Sequence, residues 1–229
     1  KLLVACEESQ RVCTAFREKG WEAYSCDIID CSGGRPEWHI KQDVLSFLNG
    51  ECTFKTCDNI EHYVNKWDMI IAHPPCTFLT VTGNRWFNVE KYGEKAIERI
   101  KKCEKAVEFF MAIASADCNK IIIENPVGYM NTHFRKPDQI IHPYYFATDN
   151  NDENNNFEKK TCLWLKGVEP LKYEIKVTPP ERIKYESGKT MPGWYAKCWS
   201  MSAEERSKMR SKTAPKFAEA MAEQWGNLT

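Results

Sequence analysis

No run of apolar residues in this 229-residue chain approaches the roughly 20 needed to span a bilayer, so no membrane-crossing helix is expected. The opening stretch, Lys1 to Gln10, has neither the long apolar core nor the cleavage pattern of a signal peptide. Excess charge of either sign is missing as well, since 32 Lys and Arg balance 32 Asp and Glu. The chain is therefore not a general magnet for nucleic acid, and any such contact has to come from a local basic face. Cysteine is plentiful at 11, but the number is odd, the chain is long and no spacing repeats. That excludes a disulfide scaffold in favour of free thiols in a reducing, intracellular setting. Metal-binding spacing is absent too: Cys26 and Cys31, like Cys52 and Cys57, have no Cys-x2-Cys or histidine pair beside them, so no metal is expected. No internal repeat is present.

Hydrophobic residues make up 42% of the chain, enough for one substantial core. Leu2 to Cys6 reads as a strand. Val12, Ala15, Phe16 and Lys19 follow at helical spacing, closed by Gly20, and Trp21 to Cys26 is a second strand ending at Asp27. Asp30 to Lys41, with two glycines and a proline, reads as loop, and Cys52 to Lys66 as a weak helix. Trp67 to Ala72 is a strand. The longest helical signal runs from Lys91 to Ala116, with Ile97, Ile100, Val107, Phe110, Met111 and Ala114 on one face. Lys120 to Ile123 and Cys162 to Leu165 are further strands. Asn150 to Asn156 reads as a mobile polar loop, and 167–200 as irregular. Two helices end the chain, Ser202 to Arg210, opened by a Ser202/Glu205 capping box, and Pro215 to Gln224. Strands alternating with helices predict an α/β fold with a mostly parallel sheet and helices on both faces.

Two strand ends are marked by proline: Ile71-Ala72-His73-Pro74-Pro75-Cys76 and Ile123-Glu124-Asn125-Pro126. Proline lacks the N–H that a ladder needs, so each proline stops its strand in a stiff turn. In a parallel sheet both ends open on one edge, where such sheets bind ligands, and Cys76 then faces Glu124. A thiolate and a carboxylate facing one pocket suit attack on an electron-poor ring, the sulfur adding to carbon and the carboxyl serving a ring nitrogen. A buried structural thiol and a helix-capping glutamate are the plain alternatives.

Pro74-Pro75-Cys76 resembles the Pro-Cys nucleophile motif of DNA cytosine-5 methyltransferases, and Glu124-Asn125-Pro126 resembles their Glu-Asn-Val motif. The order of the motifs, the apolar strands before them and the long helix between them agree with that family. The tail from Lys212 through Thr213, Ala214 and Pro215 to Ala222 is similar to its last motif. Over nearly its whole length the chain resembles short methyltransferase-like proteins of bacteriophages. The resemblance implies a three-layer, Rossmann-like methyltransferase domain over 1–229. Residues 1–130 would be its cofactor and catalytic core, 131–200 a reduced substrate-facing region, and 201–229 helices packing back. It implies a cytoplasmic enzyme, in a host cell if phage-encoded, that moves methyl from S-adenosylmethionine to C5 of cytosine.

By the same resemblance Cys76 is the nucleophile and Glu124 its partner at the ring N3 side. Asp27 holds the cofactor ribose, Asp43 meets its adenine, and Glu7, Glu8, Pro74 and Thr213 complete that pocket. Pro75, Asn125, Arg85 and Lys160 face the substrate, which is DNA or a free cytosine nucleotide. As turn or helix-start residues, Asp27, Asp43, Glu7 and Glu8 have ordinary structural explanations as well. The chain departs from the family in three respects. Its first loop, Cys6-Glu7-Glu8-Ser9-Gln10, has no glycine, so side chains make the cofactor contacts or the pocket differs. The supporting Gln-x-Arg-x-Arg motif is missing, with Lys159, Lys160 and Arg135 as substitutes, and there is no room for a separate target-recognition domain. A zinc deaminase is excluded because Thr77-Phe78-Leu79 follows Cys76 where a second cysteine is needed. Amino-group methylation uses an Asp/Asn-Pro-Pro-Tyr turn, which Cys76 does not match. A non-catalytic binding protein that keeps the fold is the remaining reading.

Overall fold

Leu2–Ala5, Met69–Ala72 and Ile121–Ile123 are apolar at every position and buried throughout, the pattern of strands covered on both faces. They form the centre of a sheet in a computed structural model that describes residues 1–227. The first half of the chain holds β1 (Leu2–Ala5), α1 (Arg11–Glu18), β2 (Ala23–Asp27), β3 (His39–Lys41), β4 (Cys52–Lys55), β5 (Glu61–Val64) and β6 (Met69–Ala72). Next come α2 (Val89–Tyr92), α3 (Glu94–Ala114), β7 (Ile121–Pro126), α4 (Met130–His133), β8 (Gln139–Ile141) and β9 (Thr161–Lys166). The chain ends with β10 (Arg182–Lys184), β11 (Thr190–Pro192), α5 (Gly193–Lys197), α6 (Ala203–Ser211) and α7 (Pro215–Trp225). Among the described residues no helix is long and apolar enough to cross a membrane.

Seven strands pair in the order β3-β2-β1-β6-β7-β9-β8. The first five are parallel, and β9 runs antiparallel to both of its neighbours. The protein is thus α/β with a mostly parallel sheet, compatible with a Rossmann-like fold. The chain steps outward from β1 to β3, then restarts beside β1 with β6 and proceeds the other way. That reversal opens a crevice beyond the carboxyl ends of β1 and β6, the place where open α/β sheets take their ligands.

Alternate residues of the strands enter two separate apolar clusters. Leu3, Ala5, Ile70, Ala72, Ile121 and Ile123 pack with Cys103, Phe110 and Ile113 of α3. Leu2, Val4, Met69, Ile71 and Ile122 pack with Val12 and Phe16 of α1 and with Phe217, Met221 and Trp225 of α7.

Five expectations need correction. Cys52 to Lys66 is a hairpin of β4 and β5 rather than a helix, because Cys52 and Phe54 point inward while Thr53 and Lys55 point out. On α3 the buried line is Ala96, Cys103, Phe110 and Ile113, and Ile97 and Met111 are exposed. Small residues at seven-residue spacing let the helix approach the sheet, which turns their larger neighbours outward. The segment read as loop between Asp30 and Lys41 ends in β3, paired to β2. The polar run 150–156 is anchored, since buried Asn155 accepts a 2.7 Å hydrogen bond from the Lys216 N–H at the start of α7. Residues 167–200 contain the β10–β11 hairpin and α5. The capping box of α6 forms as expected, Ser202 Oγ accepting from Glu205 N–H and Glu205 from Ser202 N–H.

Candidate active site

The turn after β6 is built by Pro74 and Pro75 and fastened to β7. The side-chain amide of buried Asn125 donates to the Pro74 carbonyl at 2.8 Å. Beyond the turn, the Cys76 carbonyl accepts from the N–H groups of Leu79 and Thr80, so Cys76 opens a tight loop. That loop is stitched to the one after β7: Tyr129 N–H donates to the Leu79 carbonyl at 2.7 Å. Gly128 permits the approach, because a Cβ there would lie 1.8 Å from the Leu79 carbonyl oxygen. Proline stiffness, an amide clamp and a glycine contact together fix where the Cys76 sulfur can be.

Glu124 stands on β7 one residue past Ile123, which pairs with Ala72 of β6. Burial alone would raise its pKa, but Lys159 Nζ at 3.7 Å and a 2.7 Å hydrogen bond with His73 Nδ1 outweigh it. Its carboxyl is held well below the ordinary carboxylate range, as an anion. His73 moves the opposite way: burial disfavours its charge, yet the hydrogen bond and charge of Glu124, helped by Glu7, raise its pKa. Its other nitrogen, Nε2, is buried and has no hydrogen-bond partner among the described residues. The structure adds His73 and the direct contact of Lys159 to the residues expected at the site. His73 lies inside the Ala72–Thr80 stretch that drew attention to Cys76, and its neighbouring prolines were the louder signal.

Cys76 is half-buried, and burial pushes its thiol up, opposed by the charges of Lys159 and Arg210 and reinforced by that of Glu124. The thiol is therefore protonated at neutral pH in the ligand-free protein. The two cations moderate the effect of burial without overcoming it.

The loop after β1 answers the absence of glycine. Cys6 and Gln10 adopt positive φ, 59° and 56°, the left-handed conformation that glycine usually supplies. Buried Gln10 holds the loop by accepting from Arg35 N–H and donating to the Arg35 carbonyl and Ser25 Oγ. Glu7 turns inward, and its two oxygens accept from the N–H groups of Val12 and Cys13 at 2.6 and 3.1 Å. In dinucleotide-binding folds the pyrophosphate sits at this helix end. Here the protein's own carboxylate fills the place. Burial pushes Glu7 up to about 7 despite these bonds and the nearby His73.

Asp27 ends β2, and its Oδ1 accepts from Ile29 N–H at 3.4 Å. Burial raises its pKa, the N–H groups of Ile29 and Ile28 oppose that rise, and the charge of Glu8 adds to it. Glu8 Oε1 is buried without a hydrogen-bond partner. Asp43 is exposed and accepts from Leu45 N–H, capping a short turn of 3-10 helix. Burial raises the pKa of the Cys6 thiol, and the charges of Asp27 and Asp43 add to that rise. Buried Thr213 offers its carbonyl to Arg11 Nη1. Arg85 is exposed and stacks over Trp86, with its guanidinium 4.7 Å from the ring centroid. Lys160 is exposed, whereas its neighbour Lys159 reaches Glu124. Pro75 is exposed at the tip of its turn.

Two cavities border this edge. One, of about 590 Å³, is lined by Phe78, Trp86, Tyr92 and Arg99 on the α3 side of the loop after Cys76. The other, of about 460 Å³, is lined by Arg11, Lys159, Thr213 and residues of α5 and α6. Neither includes Cys76 or Glu124 in its walls, and the second comes nearest to them through Lys159. Set against known proteins, the chain matches no family model and no curated protein sequence.

Proposed function

We propose that this chain is a methyltransferase of three-layer, Rossmann-like architecture that adds a methyl group to C5 of cytosine through a covalent bond to Cys76. The observation that carries the reading is that the turn bearing Cys76 follows β6, the parallel neighbour of the strand that bears Glu124, and is clamped to that strand by Asn125. A structural thiol would need neither the clamp nor a buried, ionised carboxylate whose charge acts on it.

The residues at the ends of β1 and β2 suit S-adenosylmethionine. Among the described residues Glu8 Oε1 is a buried acceptor without a partner, and the charge of Glu8 acts on Asp27 at the end of β2. Carboxylates accept hydrogen bonds from ribose hydroxyls and favour a sulfonium or ammonium charge. Glu7 blocks the helix end that a pyrophosphate would require, which disfavours a dinucleotide. When bound, S-adenosylmethionine would supply the electrophilic methyl group.

The remaining chemistry belongs to the chain. As substrate enters, Cys76 Sγ gives up its proton to water and forms a bond to C6 of the ring. The electron pair of the C5–C6 double bond becomes available at C5. Glu124, as an anion, accepts from the exocyclic amino group, and the proton held between His73 and Glu124 is available to N3. The fixed turn keeps reorganisation small, which is how positioning lowers a barrier. After transfer, water takes the C5 proton, the electrons of that C–H bond re-form the C5–C6 double bond, and the C6–S bond breaks to release the Cys76 thiolate.

Fluorine at C5 cannot leave as a proton, so the covalent bond to Cys76 should persist. With S-adenosylmethionine and 5-fluorocytosine in duplex DNA, single-stranded DNA or a free nucleotide, at least one substrate should give a stable adduct, mapped to Cys76 by mass spectrometry. It should be absent in Cys76→Ser and slowed in Glu124→Gln. Methyl transfer that survives Cys76→Ala would overturn the reading in favour of direct transfer to an amino group.

A further inference from the structure

The cavity of about 460 Å³ has a lining unlike the chain as a whole. Five cations, Arg11, Lys159, Lys197, Lys208 and Lys212, face two carboxylates, Glu153 and Glu205, in a protein whose net charge is zero. Both carboxylates are already engaged. Glu153 pairs with Lys197 at 3.2 Å, and Glu205 accepts from Ser202 N–H in the capping box. Among the described residues, Arg11, Lys208 and Lys212 have no carboxylate within ion-pair distance. Cations gathered around one cavity repel one another, and a bound anion relieves that repulsion.

The rest of the wall is apolar. Phe157 and Trp194 pack edge to face with centroids 5.2 Å apart, beside Met201 and Met209. A cavity that is cationic at some points and aromatic at others matches a ligand with an anionic group on a flat or sugar-like body. Its volume is on the scale of one small ligand, within the roughly 300–1,000 Å³ of such sites, and it does not admit a duplex. Lys159 connects it to the proposed chemistry, lining the cavity while its Nζ lies 3.7 Å from Glu124. Arg210, on the same helix as Lys208, acts on the Cys76 thiol.

We infer that this cavity binds the 5′-phosphate and sugar of a single cytosine nucleotide, with Arg11, Lys208 and Lys212 on the phosphate and the ring directed past Lys159 toward Glu124. The direction of the ring rests on the proposed cytosine chemistry, while the phosphate site stands on the cavity itself. The same phosphate can belong to a free nucleotide or to a flipped residue of a single strand.

Calorimetry with dCMP, deoxycytidine, a short cytosine-containing single strand and S-adenosylmethionine separates these cases without any chemical step. Wild-type protein should bind dCMP about tenfold or more tightly than deoxycytidine, the scale of one charge-assisted contact. The Lys208→Gln/Lys212→Gln variant should lose that preference and keep its affinity for S-adenosylmethionine and its melting temperature. A strand that outcompetes dCMP with the same lysine dependence assigns the phosphate to a polynucleotide, and the reverse order assigns it to a free nucleotide; either supports the site. Equal binding of dCMP and deoxycytidine by wild-type protein overturns it. So does a variant that loses S-adenosylmethionine while still preferring dCMP, which would give the cavity to the cofactor. Failure of the fluorocytosine adduct with the dCMP preference intact would remove the methyltransferase reading and leave the phosphate site.

Discussion

Glu7 carries a carboxyl that is fully inside the protein and still takes both helix N–H groups of α1. Its pKa rises from 4.5 to about 7, chiefly through burial, so the folded state binds a proton there that the unfolded chain has released. The stability from this group is complete below pH 4.5 and is lost as pH rises through 7. The largest loss is about 3 kcal/mol, taking 1.36 kcal/mol for each pKa unit. Urea unfolding at about pH 5 and about pH 8 should therefore show wild-type protein weakening with pH, with the slope much reduced in Glu7→Gln. Identical slopes would mean that Glu7 is not buried as a titrating group. In the sequence, Glu7 and Glu8 were visible as acids near a helix start. What the sequence could not convey is that one turns inward to cap α1 while the other keeps a buried oxygen unpartnered, because that depends on Cys6 and Gln10 taking left-handed conformations. Non-glycine residues rarely do so, and nothing in their identity marks it.

Among the elements, the ends of β6 and β7 were readable because proline leaves few choices to the backbone. The hairpin β4–β5 was not, since a short mixed segment carries little to separate a period of two from a helical one. Gly128 was equally silent, for its role arises only when the loop after β7 meets the carbonyl of Leu79. That contact gives a test of how the sulfur is placed. Gly128→Ala puts a methyl group 1.8 Å from the Leu79 oxygen, so the two loops must separate, and Leu79 is three residues from Cys76. A displacement on the order of 1 Å at a reacting group costs about a hundredfold in rate. Adduct formation with fluorocytosine should slow by about that factor, with S-adenosylmethionine affinity unchanged, since Asp27 ends β2 and Glu8 follows β1, whereas the contact joins the loops after β6 and β7. An unaltered adduct rate would show that the prolines and Asn125 suffice to hold Cys76.

At the scale of the whole molecule, the parallel half of the sheet followed from alternating strands and helices, whereas the antiparallel insertion of β9 between β7 and β8 had no local signature. The closing helix was readable from its proline start and alanine-rich face. Its partner was not, because α7 packs against α1, which lies near the opposite end of the chain. Trp225 joins them: it is 1% exposed, sits in the cluster with Phe16 and Met221, and donates from Nε1 to the Glu169 carbonyl at 2.9 Å. Removing a buried indole leaves a cavity and an unpaired carbonyl, so Trp225→Ala should lower unfolding free energy by about 3–5 kcal/mol. Because α7 covers the face of β1, β6 and β7 that packs with α1, the unfolding transition should stay single and move to lower urea for every probe. A loss below about 1 kcal/mol, or a first transition confined to the C-terminal helix, would make α7 a docked appendage rather than part of the core. In that case Thr213 and Ala214, which enter α7 from the wall of the cavity proposed to take a nucleotide, would be held only by Arg11 and their link to α6, and the cavity would loosen together with the helix.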